Sequence, residues 1–282
     1  MDEYERIING LTDLGNKDDQ IKAVILIGSR ARTDYPADEY SDVDIILLVE
    51  DIDFFIQTDE WLKDLGKYHI SFVENTVAGG KERRVLFDQA MDADFLFLRA
   101  GDVGRIEKDA SVRDIVSRSY RILFDKIGFS TVLRNMASAK EIYMPPSETG
   151  FTNIICNFWF HSVWAAKKAL RGELWVAKNC VDGYMKSLLL QMTEIHAHAV
   201  HGREYDTWHN GRFLEKWAEP WIIERLPGIF ADYTVQGILS ALVCTMDLFR
   251  QLTTEAAELL NYPYPTEQAE YAASYLKSVM RP

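Results

Sequence analysis

The sequence predicts a two-part α/β (α+β) plus all-α protein: a mixed-sheet front half, residues 1–145, followed by a helical back half, residues 146–282. Three observations carry this. Short β-branched runs dominate before residue 126, long 3.6-period patterns dominate after residue 150, and Met144-Pro145-Pro146-Ser147 separates the two textures. Two consecutive prolines cannot continue a helix or a central strand.

Ile7, Ile8, Leu11 and Leu14 recur at helical spacing and predict a first helix over residues 3–15 that packs on a sheet. Ala23 to Ile27 is apolar and short, as a strand buried on both faces requires. Gly28-Ser29 ends it. Glycine lets backbone N–H groups approach an anion, and a serine hydroxyl can hold a phosphate oxygen. A second strand runs to Val49 and opens with Asp42 and Asp44. Residues two apart in a strand point the same way, so the two carboxylates are neighbours. Side-by-side carboxylates repel, and a hard cation with oxygen ligands such as Mg²⁺ relieves that repulsion.

Phe54 to Leu65 reads as a crossover helix, and His69 to Glu74 alternates as a strand. Ala78-Gly79-Gly80-Lys81 lacks the GxxxxGK[ST] pattern and a following helix, so it reads as a loop rather than a phosphate-binding loop. Arg84 to Asp88 and Asp94 to Leu98 form a predicted hairpin, and 101–125 holds a short helix before a closing strand over 120–126. In the back half, Phe151–Leu170, Val176–Val200, Phe213–Leu226, Val235–Leu260 and Glu267–Met280 give about five helices.

Gly28-Ser29-Arg30, an eleven-residue spacer counted from Ser29, and Ser41-Asp42-Val43-Asp44 together resemble the signature of polymerase-β-like nucleotidyltransferases, specifically the streptomycin-type aminoglycoside adenylyltransferases. The resemblance implies a Mg²⁺-dependent enzyme that moves AMP from ATP to a hydroxyl on a small cationic acceptor. It implies Asp42, Asp44 and a third acid as metal ligands and catalytic groups. Asp94, an acid ahead of an apolar strand, matches the third position best, with Asp88 and Asp92 as runners-up. Gly28, Ser29 and Ser41 would then serve the nucleotide. Arg30 would either help them or pair with nearby acids. The wording from Phe158-Trp159 to Lys178 resembles the same branch, which places Lys178 on the triphosphate. A lysine at a helix start opposes the helix dipole, and a bound anion would explain it. The expected site is a cleft between the two halves.

The sequence departs from the branch where acids are expected to grip the acceptor. Thr152, Asn153 and Asn157 stand there, with Glu148, Glu173 and Asp182 as possible compensation. This leaves other acceptors open: a lincosamide, another sugar-like metabolite, a protein hydroxyl, or a non-catalytic nucleotide-binding relative.

The net charge of −12 argues against a nucleic-acid partner and suits a cationic substrate. The acidic N-terminus is unlike a signal peptide and no 18-residue apolar run occurs, so neither export nor a membrane span is expected. Cys156, Cys180 and Cys244 are far apart and odd in number, which fits buried free thiols in the cytoplasm. A monomer or weak dimer is expected. His196, His198 and His201 do not complete an HExxH pattern and read as helix-end residues rather than a metal site.

Overall fold

The computed structural model describes residues 3–76, 80–138 and 142–280. The chain forms two compact units, Met1–Glu141 and Ile142–Pro282. Of the expected loop Ala78-Gly79-Gly80-Lys81, Ala78 and Gly79 lie outside the described residues, and Lys81 opens a strand.

Unit one follows the order α1 (Glu3–Lys17), β1 (Ile21–Ile27), β2 (Val43–Val49), α2 (Ile52–Gln57), β3 (Tyr68–Asn75), β4 (Lys81–Phe87), β5 (Asp92–Arg99), α3 (Val103–Ile106), α4 (Ala110–Arg118), β6 (Arg121–Asp125) and α5 (Phe129–Ala137). The predicted crossover helix is shorter than expected, because α2 ends at Gln57 and a 3₁₀ turn covers Glu60–Asp64. The strands make one six-stranded sheet, ordered β3-β4-β5-β2-β1-β6. β2 and β5 pair in parallel, and the other neighbours are antiparallel, so the sheet is mixed.

Side-chain alternation divides the core. Val24, Leu26, Val43, Ile45, Leu47, Phe95 and Phe97 face Ile7, Leu11 and Leu14 of α1 together with Phe55 and Trp61. Ala23, Ile25, Ile46 and Leu48 face the other way, onto Val112 and Val116 of α4 and Phe129, Leu133 and Met136 of α5. Burying one large aliphatic or aromatic side chain is worth roughly 1.5–3 kcal/mol, so two such layers fix the central strands firmly. α5 was not expected from the sequence, and its nine residues close the second layer.

Unit two contains α6 (Glu148–Leu170), α7 (Leu174–Asn179), α8 (Met185–His201), α9 (Leu214–Trp217), α10 (Pro220–Arg225), α11 (Val235–Leu260) and α12 (Thr266–Val279). The Ser147 hydroxyl caps α6 by accepting from Gly150 N at 3.2 Å. A π-turn at Cys180–Tyr184 joins α7 to α8, so the expected single helix over 176–200 is interrupted. Phe151, Phe158, Met185, Met192, Leu242 and Phe249 are among the buried residues of its core, where Phe158 and Phe249 stack with centroids 3.6 Å apart.

All three thiols are free, but only Cys180 is buried; Cys244 lies on the outward face of α11 and is exposed. No helix of the described residues is long and apolar enough to cross a membrane.

Candidate active site

Strand register brings the acids together. Parallel pairing sets Asp44 of β2 beside Asp94 of β5. In β2 every residue but Asp44 is buried, so the carboxylate stands where an apolar side chain would otherwise complete the layer. Asp42 precedes β2 rather than opening it, since the ladder begins at Val43. One carboxylate oxygen from each of Asp42, Asp44 and Asp94 lies within 4.8 Å of the other two. The donors are all hard oxygens, which fits a divalent cation such as Mg²⁺.

Gly28 is required by this arrangement. Its φ is +69°, and a Cβ built on it would lie 2.0 Å from Asp44 Oδ2 and 2.9 Å from Asp44 Cγ. The glycine of the signature therefore makes room for the carboxylate of the second strand, beyond any service to a phosphate. The Ser29 hydroxyl next to it is buried without a hydrogen-bond partner. A buried polar atom in that condition is costly unless a ligand satisfies it.

Arg30 and Ser41 turn to the loop instead. Arg30 Nε donates to Asp42 O at 3.1 Å and Nη2 donates to Ser41 O at 3.0 Å. The Ser41 hydroxyl donates to Asp38 Oδ1 at 2.9 Å and accepts from Asp38 N at 3.0 Å. Both residues brace the approach to β2, and neither presents these groups to a phosphate.

Burial pushes the Asp94 carboxyl up to about 6, opposed by Arg84 and reinforced by Glu82, Asp42 and Asp92. Arg84 lies directly across the strand pair from Asp94, with Nη1 3.4 Å from Oδ2. The same guanidinium sits 2.7 Å from Glu82 Oε1 and also pairs with Glu74. Of the two runners-up, Asp88 lies in the turn after β4 and pairs with His69 and Lys67, while Asp92 accepts from Tyr4.

In unit two, Lys178 donates to the Asp182 carboxylate and to Ala231 O. It sits in the last turn of α7 and not at a helix start, which removes the dipole argument for a bound anion. Lys186 is nearby in charge terms: burial holds its ammonium down at about 8, with Asp182 opposing and Lys178 adding. It donates to Thr245 Oγ1 at 2.9 Å and Val181 O at 3.0 Å. Glu173, considered for the acceptor, is paired with Lys168 and Arg171. Asn157 Nδ2 donates to the Tyr184 hydroxyl at 2.8 Å, and Glu148 and Asn153 are exposed in the first turns of α6. The histidines separate: His196 pairs with Glu255, His201 with Glu219, and His198 stacks on Tyr143 at 3.7 Å. Among the described residues only the aspartate trio groups as a metal site.

A family model described as streptomycin adenylyltransferase matches residues 1–279. This chain belongs to that family. Among its relatives are proteins named aminoglycoside 6-adenylyltransferase. The one from Bacillus subtilis (strain 168) is 22% identical over 94% of each chain, and the one from Campylobacter jejuni is 23% identical over 93% of this chain and 89% of the relative. The crystal structure of an aminoglycoside 6-adenyltransferase from Bacillus subtilis aligns with 99% of this chain and 98% of that one, at 20% identity and a TM-score of 0.45.

The structure adds, within each unit, neighbours of the signature residues that the sequence pattern passes over. Tyr4 of α1 touches Arg30, Arg84 touches Asp94, and Lys186 joins the Lys178–Asp182 group. Only Lys186 carried a signal, since it falls two helical turns beyond Lys178.

Proposed function

We propose that this protein transfers AMP from ATP to a hydroxyl of an aminoglycoside, with a streptomycin-like acceptor first in line. The observation that carries the reading is the convergence of Asp42, Asp44 and Asp94 beside the Gly28–Ser29 turn. The acceptor oxygen bonds to the α-phosphorus of ATP, the bond from that phosphorus to the pyrophosphate oxygen breaks, and the acceptor proton leaves. Asp94, beside the other two acids, takes that proton or holds the metal that activates the acceptor. Asp42, Asp44 and Asp94 would hold Mg²⁺, whose chemistry when bound is to offset charge on the reacting phosphate oxygens. Ser29 donates its hydroxyl to a phosphate oxygen, and the Gly28 turn lets the backbone approach. Lys178 serves the triphosphate. Family membership and the names of the relatives support the acceptor class. The reaction's ATP and the free thiols suit the cytoplasm.

A second reading keeps the chemistry and changes the acceptor. It is favoured by Thr152, Asn153 and Asn157 at the start of α6 and by Glu173 and Asp182, whose charges are already paired. Neutral side chains bind ammonium and guanidinium groups weakly compared with carboxylates. Mass spectrometry of streptomycin, other aminoglycosides and a lincosamide after incubation with ATP and Mg²⁺ separates the two. An AMP adduct on an aminoglycoside is the expected result. An adduct only on the lincosamide moves the substrate, and no adduct on any acceptor contradicts the proposal.

A further inference from the structure

The carbonyls of Ser41 and Asp42 are held by Arg30, and Arg30 is itself held from the far side. Its guanidinium carbon lies 3.5 Å from the centroid of the Tyr4 ring. Tyr4, at the start of α1, is 7% exposed, and its hydroxyl donates to Asp92 Oδ1 at 3.4 Å. Asp92 is the first residue of β5, two before Asp94. A continuous chain of contacts therefore runs from Asp42 O through Arg30 and Tyr4 to Asp92. It ties the entry to β2 to the entry to β5, and those entries carry two of the three acids.

Asp42 needs such a tie. It lies just before β2, whose ladder begins at Val43. A planar guanidinium has donors in fixed directions and can serve two carbonyls while its face packs on an aromatic ring. A lysine ammonium offers neither the fork nor the flat face.

We propose that Tyr4 and Arg30 are positioning residues: a clamp that sets the separation of Asp42 from Asp94 and through it the affinity of the acid trio for a divalent cation. This rests on the reading of Asp42, Asp44 and Asp94 as metal ligands. It replaces the expectation that Arg30 touches phosphate. Residues that orient metal ligands in this way typically change affinity by about 10–100-fold when removed.

The clamp borders a cavity of about 460 Å³ lined by Tyr4, Arg30, Asp38, Glu39, Gln89 and Met91 among others. Shortening Arg30 therefore opens a space that connects with existing room, and a small free guanidinium can enter it. Chemical rescue follows as a test that a general loss of stability would not pass.

The experiment compares Arg30→Ala, Arg30→Lys, Tyr4→Leu and Tyr4→Phe with the unaltered chain. Mn²⁺ binding is measured by electron paramagnetic resonance without substrate, and kcat and KM for ATP are measured separately. Arg30→Ala is expected to weaken Mn²⁺ binding by about tenfold or more and to lower kcat with KM for ATP little changed. Arg30→Lys fails to restore either, and millimolar ethylguanidinium restores part of both in Arg30→Ala. Tyr4→Leu follows Arg30→Ala, and Tyr4→Phe, which keeps the ring, shows a smaller loss. If Arg30→Ala does not fold, Arg30→Lys and Tyr4→Phe decide the matter alone.

Unchanged Mn²⁺ affinity in these variants overturns the clamp. So does a raised KM for ATP with kcat retained, which marks Arg30 as a phosphate ligand. An unaltered chain that binds Mn²⁺ but adenylylates no acceptor refutes the proposed reaction, while the Mn²⁺ comparison still tests the clamp. An unaltered chain that binds no Mn²⁺ overturns the clamp together with the metal reading beneath it.

Discussion

The two units differ in how their acids are placed. In the sheet unit, three carboxylates are brought within 4.8 Å of one another, and Arg84 reaches Asp94 at 3.4 Å. In the helical unit, Lys178 meets Asp182, and Lys168 and Arg171 meet Glu173, while His196 and His201 lie against Glu255 and Glu219. Burying and crowding like charges costs stability, as the raised Asp94 carboxyl records. A fold keeps a local cost where a group does chemistry, which supports reading the crowded carboxylates of the sheet as the working site.

Replacing an acid of the trio should break the comparison most severely. Asp42→Ala is expected to lower adenylyl transfer by about 1,000-fold or more while circular dichroism and thermal unfolding stay near those of the parent. Next is Gly28→Ala. A methyl 2.0 Å from Asp44 Oδ2, at a φ of +69°, must displace the carboxylate or the turn. About 1–3 kcal/mol of stability and roughly 100-fold in turnover should be lost, read by denaturant unfolding and steady-state kinetics.

Lys178→Met sharpens the other side. If the lysine reaches the triphosphate as well as Asp182, KM for ATP rises by about tenfold with kcat nearly constant. If its service is only to Asp182 and Ala231, KM stays put and the melting temperature falls.

The smallest effect concerns stability and has an unusual sign. Asp94 is raised to about 6 in the folded chain from an ordinary value of 3.8, so above about pH 6 the fold holds a carboxylate that the unfolded chain accommodates more easily. That charge costs stability at neutral pH, and the cost disappears as pH falls below about 4. Asp94→Asn should therefore stabilise the metal-free protein by roughly 1–3 kcal/mol at pH 7, with no gain at pH 4. Thermal unfolding in chelator at the two pH values checks it. A variant less stable than the parent at pH 7 would show that the Arg84 contact outweighs burial.

Much of this was legible in the sequence because it depends on short-range pattern. The apolar runs Ala23–Ile27 and Val43–Val49 fixed the central strands, and Asp44 and Asp94, each beside apolar residues, occupy adjoining places on adjacent strands. What was not legible depends on loop conformation. Arg30 could have faced a phosphate or the loop, and only the fold of residues 28–42 turns it to Ser41 and Asp42. Tyr4 lies far from the signature in sequence and meets it through the packing of α1 on the sheet. The π-turn at Cys180–Tyr184 has no apolar periodicity of its own to reveal it, so Lys178 was misplaced along its helix.

Pyrophosphate release from ATP and Mg²⁺, with and without streptomycin, in the parent chain and in Asp44→Asn, tests the central claim most directly. The account predicts release that requires the acceptor and falls by about 1,000-fold or more in the variant. Release that persists undiminished in Asp44→Asn would contradict it, because the chemistry would then lie away from the aspartate trio.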